Sequence, residues 1–175
     1  MAGKSVPERL SWAVETLDLV PSDRVLEIGC GRGVAAVLVL DRLKEGSFTA
    51  IDRSDKAVEA AIRRNSENVA ARKASFLVAA LENAEFADDS FDKIFSVNVN
   101  LFWARSSKRE LTALRRWLAP GGSLHLFWEP PGAGQAREIA ARVVPFMEEH
   151  GFKTTTLTGQ TSTSAGLICI LARLF

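Results

Sequence analysis

The sequence predicts an α/β fold: a three-layer, doubly wound sandwich around a mostly parallel seven-stranded sheet that closes with a C-terminal antiparallel strand pair. Three observations carry this. Short apolar runs alternate with helical stretches from residue 24 to residue 128, the order that builds a parallel sheet with helices on both faces. The runs at 24–28 and 47–51 end at GCGRG and at Asp52, residues suited to the crevice at the carboxyl ends of such strands. The last two runs, FKTTTL (152–157) and GLICILARLF (166–175), are joined by TGQTSTSA. That connection has no helical period, so the two strands pair antiparallel.

The elements follow in order. Leu10, Ala13, Val14 and Leu17 recur at helical spacing, so residues 7–19 form an amphipathic leading helix, stopped by Pro21 and Ser22. RVLEI (24–28) is a buried strand, GCGRG a turn, and VAAVLVLDRL (34–43) a helix over that strand. SFTAI (47–51) is the second strand. Ser54 caps a helix from Asp55 to Ala70 with Ala57, Val58, Ala61 and Ile62 on its apolar face. ASFLVA (74–79) is the third strand, LENAEFADDS (81–90) a loop with room for one helical turn, and FDKIFSVNV (91–99) the fourth strand. SSKRELTALRRWL (106–118) is a helix, APGG (119–122) its stop and turn, and SLHLFW (123–128) the fifth strand. A helix from Gln135 to His150 contains Pro145, which predicts a kink.

The bulk numbers bound the rest. With 175 residues, 47% of them hydrophobic and 25% charged, the chain can bury one core and is not disordered. The whole chain, residues 1–175, is expected to be a single domain. A net charge of +1 gives no reason to expect a nucleic-acid or anionic-membrane surface. Cys30 and Cys169 lie far apart and match neither a zinc spacing nor a disulfide framework. MAGKSVPERLSW has no apolar signal core, and VAAVLVL (34–40) is too short to span a bilayer. A cytoplasmic setting is the expectation.

VLEIGCGRG (25–33) is the stretch that carries chemistry. Three ligands compete for a glycine turn that opens a helix: a phosphate, a dinucleotide, and a nucleoside without phosphate. A phosphate loop needs a Lys-Ser or Lys-Thr pair after its last glycine, and none follows. A dinucleotide fingerprint needs a third glycine where this chain has Val34. The chain also has no tyrosine to serve as a reductase proton donor. A nicotinamide-linked reductase is therefore the secondary reading.

The stretch resembles the first motif of class I S-adenosylmethionine-dependent methyltransferases, hh(D/E)hGxGxG with h apolar, at every position. Further matches follow in order: Asp52 at the end of the second strand, DDSFDKIFSV (88–97), LAPGGSLHLF (118–127), and the closing antiparallel pair. Together they cover about residues 8–175. The resemblance implies a Rossmann-like fold and S-adenosylmethionine as cofactor, with no metal. Gly29, Gly31 and Gly33, with Cys30 between them, would lie against the methionine portion and ribose. Glu27 would attract the α-amino group, and Asp52 the two ribose hydroxyls. Arg53 either stacks on adenine or points to solvent. The family often has an Asp where this chain has Ala80, so one acceptor for the adenine amino group is missing. Backbone groups of Leu81 and of Glu82 or Asn83 would substitute. Asn98 would bond the cofactor or its water.

Around the crevice, Asn100, Trp103 and Trp128 are candidates to touch the acceptor. Trp12, on the leading helix of residues 1–20, either folds over the site or packs below it. Cys30 reads as a space-filling side chain, because no base is near it in sequence. His150 caps a helix end. His125, alternating with Leu124 and Leu126, reads as a structural histidine. The reaction implied is in-line attack of a small-molecule acceptor on the sulfonium methyl group. Alignment and exclusion of water supply much of the rate. A hydroxyl acceptor needs a base, for which Glu129 and His125 are the candidates. NVNLFW (98–103) lacks the prolines of the nucleic-acid amino-methylating members. The expected partner is a small molecule, with no nucleic acid and no membrane, and the protein a monomer or homodimer. A cofactor-binding protein without catalysis is the alternative from another class.

Overall fold

The computed structural model describes residues 6–100, 102 and 107–175. It contains α1 (Glu8–Thr16), β1 (Arg24–Ile28), α2 (Val34–Leu40), β2 (Ser47–Asp52), α3 (Asp55–Arg64), α4 (Ser66–Ala70) and β3 (Ala74–Val78). A 3-10 turn at Leu81–Asn83 precedes β4 (Phe91–Val97), α5 (Lys108–Trp117), β5 (Leu118–Trp128), α6 (Ala133–Glu149), β6 (Phe152–Gly159) and β7 (Leu167–Leu174). One seven-stranded sheet runs in the order β3-β2-β1-β4-β5-β7-β6. β1 pairs parallel with both β2 and β4, while β7 is antiparallel to β5 and β6. This is the Rossmann-like arrangement that the alternating elements predict. The strand order reverses between β1 and β4, and a crevice opens at their carboxyl ends.

Alternation along each strand divides the core into two layers. Leu26, Ile28, Ile94, Leu124 and Leu126 join Leu111 and Leu114 of α5 and Ile139, Val143 and Met147 of α6. On the other face Val25, Phe48, Ala50, Phe95 and Phe127 join Val14 and Leu17 of α1, Ala36 and Val39 of α2, and Val58 and Ala61 of α3. Side chains of this size each contribute about 1.5–3 kcal/mol when fully buried. Among the described residues no helix is long and apolar enough to cross a membrane.

Three elements differ from the sequence reading. α2 stops at Leu40, where Lys73 Nζ donates to the carbonyls of Leu40 (3.0 Å) and Leu43 (2.6 Å) and meets the helix end with a cation. The helix after Ser54 breaks at Asn65, whose side-chain amide turns back on the Ala61 carbonyl. APGG is not a free turn but part of β5. Leu118 already pairs with Phe91, and regular pairing resumes at Lys93 and Ser123, so these four residues bulge opposite Asp92. As the sequence reading expects, one helix, α6, spans Pro145.

Candidate cofactor site

The glycine turn joins β1 to α2, and its three glycines serve different ends. All have positive φ: +73° at Gly29, +52° at Gly31 and +70° at Gly33. A Cβ on Gly29 would lie 2.7 Å from Val99 Cγ2, and one on Gly33 would lie 2.8 Å from both Ala61 Cβ and Asn65 Nδ2. A Cβ on Gly31 would meet nothing within 4 Å. Gly29 and Gly33 admit neighbouring protein, and Gly31 leaves its space open.

Asp52, at the end of β2, fixes this turn. Its Oδ2 accepts the Gly31 N–H at 2.8 Å and its Oδ1 accepts the Ser54 N–H at 2.9 Å. Ser54 in turn caps α3 by accepting the Ala57 N–H. A carboxylate has about four acceptor positions, so lone pairs remain on both oxygens.

Glu27, the next-to-last residue of β1, precedes the turn and is only 3% exposed. Its Oε2 has no hydrogen-bond partner among the described residues. Burial, and secondarily the charge of Asp52, pushes its carboxyl up to about 8. A buried carboxyl with an unused oxygen is costly unless a donor meets it. A cationic amine is a donor of the required kind. Next to it, the buried Cys30 thiol is pushed well above its usual range by burial and by the charges of Glu27 and Asp52. It stays protonated and fills space.

A cavity of about 770 Å³ opens beside the turn at the carboxyl ends of β1, β2 and β4. Gly29, Asp52, Arg53, Ala80, Leu81 and Asn98 are among the residues on its wall. Asn100 and Glu82, both named in the sequence reading, also line it, as do Val97 and Val99, which that reading did not single out as contacts. Val99 lies outside the matched motifs; its close approach to Gly29 shows why that position matters. Asn98 has a left-handed φ of +57°. Its N–H donates to the Phe127 carbonyl and its Oδ1 accepts the Glu129 N–H, both at 2.8 Å. Its side-chain oxygen therefore ties β4 to the end of β5.

Several expected contacts lie elsewhere. Trp128 is buried, with Nε1 donating to the Val99 carbonyl at 3.1 Å, and it does not line the cavity. Trp12 packs edge-on against Phe127 with ring centroids 5.6 Å apart, and its ring lies where a Gly159 Cβ would stand. Trp103 lies outside the described residues. His125 is buried on β5, bonded to Ser123 Oγ at 2.9 Å and stacked on Phe127. Burial, with Lys93 and Arg173 adding to it, pushes its imidazole down to about 3. It is a neutral structural ring and not a base for the cavity. Glu129 is engaged as well: Oε2 pairs with Arg9 at 3.4 Å and Oε1 accepts the Thr161 hydroxyl at 3.2 Å. Beside it, Glu8 accepts the Ser162 N–H at 2.7 Å and its hydroxyl. The start of α1 is thereby fastened beside the carboxyl end of β5, without lining the cavity.

Known proteins share this architecture. A family model described as a methyltransferase domain matches residues 25–122, from β1 through the bulge of β5. The chain is 34% identical over 123 residues to a malonyl-[acyl-carrier protein] O-methyltransferase of Paenibacillus, covering 69% of this chain and 42% of that one. It is 32% identical over 118 residues to the O-methyltransferase rstn1 of Aspergillus nomiae, covering 67% and 52%. The chain thus spans about half the length of these curated relatives. A solved structure of geranyl diphosphate methyltransferase in complex with S-adenosylmethionine shares the fold, with a TM-score of 0.72 at 14% identity, over 94% of this chain and 83% of that one. With the ordered motifs on matching strands and a family model over more than half its length, the chain belongs to the class I S-adenosylmethionine-dependent methyltransferases.

Proposed function

We propose that the cavity binds S-adenosylmethionine and that the protein transfers its methyl group to a small-molecule acceptor. The observation that carries this reading is the buried, unpartnered oxygen of Glu27 just before an open glycine turn. Glu27 would meet the α-amino group, and the open side of Gly31 would admit the methionine and ribose. The free lone pairs of Asp52 would take the ribose hydroxyls. Ala80 and Leu81 would flank adenine, with Arg53 at the cavity wall.

When bound, the cofactor supplies an electrophilic methyl group already activated by the sulfonium charge. The chain's own part is to hold that end still, line up the acceptor and exclude water. Asn98 and Asn100 stand on the wall beyond β4, where an acceptor would approach. His125 and Glu129 are both committed to other partners. This supports an acceptor that brings its own nucleophile, such as a thiolate, an amine or an acidic carbon.

Calorimetry with S-adenosylmethionine and separately with NAD(H) tests the cofactor assignment. Binding of the sulfonium compound alone is expected, and its absence at millimolar concentration would sink the proposal. Formation of S-adenosylhomocysteine in a broad metabolite screen then identifies the acceptor. A chain that binds cofactor but yields no product with any metabolite is a binder and not an enzyme.

A further inference from the structure

The far end of α3 grips the glycine turn from the side opposite Asp52. Asn65 is 3% exposed, and its Nδ2 donates to the Gly33 carbonyl at 3.1 Å and to the Ala61 carbonyl at 2.9 Å. Its neighbour Arg64 donates Nε to the Arg32 carbonyl at 3.0 Å. Two successive carbonyls of the turn are thus drawn onto α3, while the Gly31 N–H is held by Asp52. Both partners of the Asn65 amide are carbonyl oxygens, so the nitrogen has to face them. Its own oxygen is buried and has no partner among the described residues. The amide is retained at the cost of that unsatisfied oxygen. α3 is broken here so that the side chain can reach back. Gly33 lets the amide come this close, since a Cβ there would lie 2.8 Å from Nδ2.

We propose that Asn65 is a positioning residue for the cofactor: its buried amide clamps the turn to α3 and so sets the backbone that S-adenosylmethionine meets. The proposal rests on the cofactor reading above. Arg64 is exposed, so its contact is screened by water and contributes less.

The test uses the full chain with Asn65→Leu, Asn65→Asp and Arg64→Ala. Affinities for S-adenosylmethionine and S-adenosylhomocysteine are measured by calorimetry, with thermal midpoints alongside. Asn65→Leu keeps the volume and removes the donor, and is expected to weaken both ligands by about tenfold, whereas Arg64→Ala changes them by less than about threefold. Asn65→Asp adds a readout that packing alone does not move. Its ionised carboxylate repels the two carbonyls, and its protonated form can donate to Gly33. Its affinity relative to wild type should therefore recover as the pH falls from about 8 to about 5.5, while the Asn65→Leu ratio stays flat. Ratios to wild type at each pH remove what Glu27 contributes; Asp52 and Arg64 are the other charged groups bonded to this turn, and both are present in every protein compared at Asn65. If Asn65→Leu does not fold, the Asn65→Asp profile decides. A folded Asn65→Leu that binds like wild type, or a flat Asn65→Asp ratio, overturns the clamp. Wild-type protein that binds neither ligand overturns the cofactor reading itself.

Discussion

Replacing Glu27 with glutamine separates what this residue does for the fold from what it does for the ligand. Its carboxyl is raised from 4.5 to about 8 in the folded chain, first by burial and then by Asp52. Below 4.5 the group is protonated in both folded and unfolded chains and costs nothing. Between 4.5 and 8 the unfolded chain releases the proton and the folded chain keeps it, so stability falls as the pH rises. At about 1.4 kcal/mol per pKa unit, the penalty at pH 7 is about 3 kcal/mol. A glutamine at this position carries no such penalty. Urea unfolding without cofactor, followed across pH, should show Glu27→Gln gaining on wild type by about 2 to 3 kcal/mol between pH 5 and pH 7. The same variant should bind S-adenosylmethionine more weakly, because a cationic amine is what the ionised carboxylate is there to meet. Wild-type binding should release a proton, visible as a calorimetric enthalpy that depends on the buffer. Parallel stability curves for the two proteins would refute the linkage, and unchanged affinity would refute the amine contact.

Three further outcomes are expected. Asp52→Ala should weaken S-adenosylmethionine by about tenfold or more, because it removes the proposed ribose acceptors and releases the Gly31 N–H; calorimetry reads this directly. Gly33→Ala should lower stability by about 1 to 3 kcal/mol through strain and the clash with Ala61, whereas Gly31→Ala should cost less stability and more cofactor affinity, as thermal melts and calorimetry compare. Leu114→Ala, in the layer under α5, should cost about 2 to 5 kcal/mol in chemical denaturation without changing cofactor affinity.

The inner strands were legible because burial on both faces leaves near-continuous apolar runs, and all seven strands, the more exposed edges β3 and β6 included, lie close to where the sequence reading sets them. VLEIGCGRG and Asp52 were legible because a motif fixes their place. The division of labour among the three glycines was not, since it depends on Val99 and Asn65, which are distant in sequence. Asn65 itself read as one more helical residue, because its carbonyl partner on the turn is 32 positions away. Trp128 stood at a strand end facing the expected acceptor side, but its indole is buried and bonded to Val99. A strand end shows where a residue stands and not which way its ring turns. APGG carries every mark of a turn, and only its pairing with β4 makes it a bulge.

The fastening of α1 has a consequence for synthesis. Glu8 and Ser162 are 154 positions apart, and the Trp12 ring meets Phe127 and the backbone at Gly159. A chain emerging from its amino end makes α1 first and its docking partners on β5 and β6 late. Until those strands exist, Trp12 has neither of these neighbours, and Arg9 and Glu8 have neither Glu129 nor Ser162. α1, made well before these partners, is thus among the last helices of the fold to be fully seated.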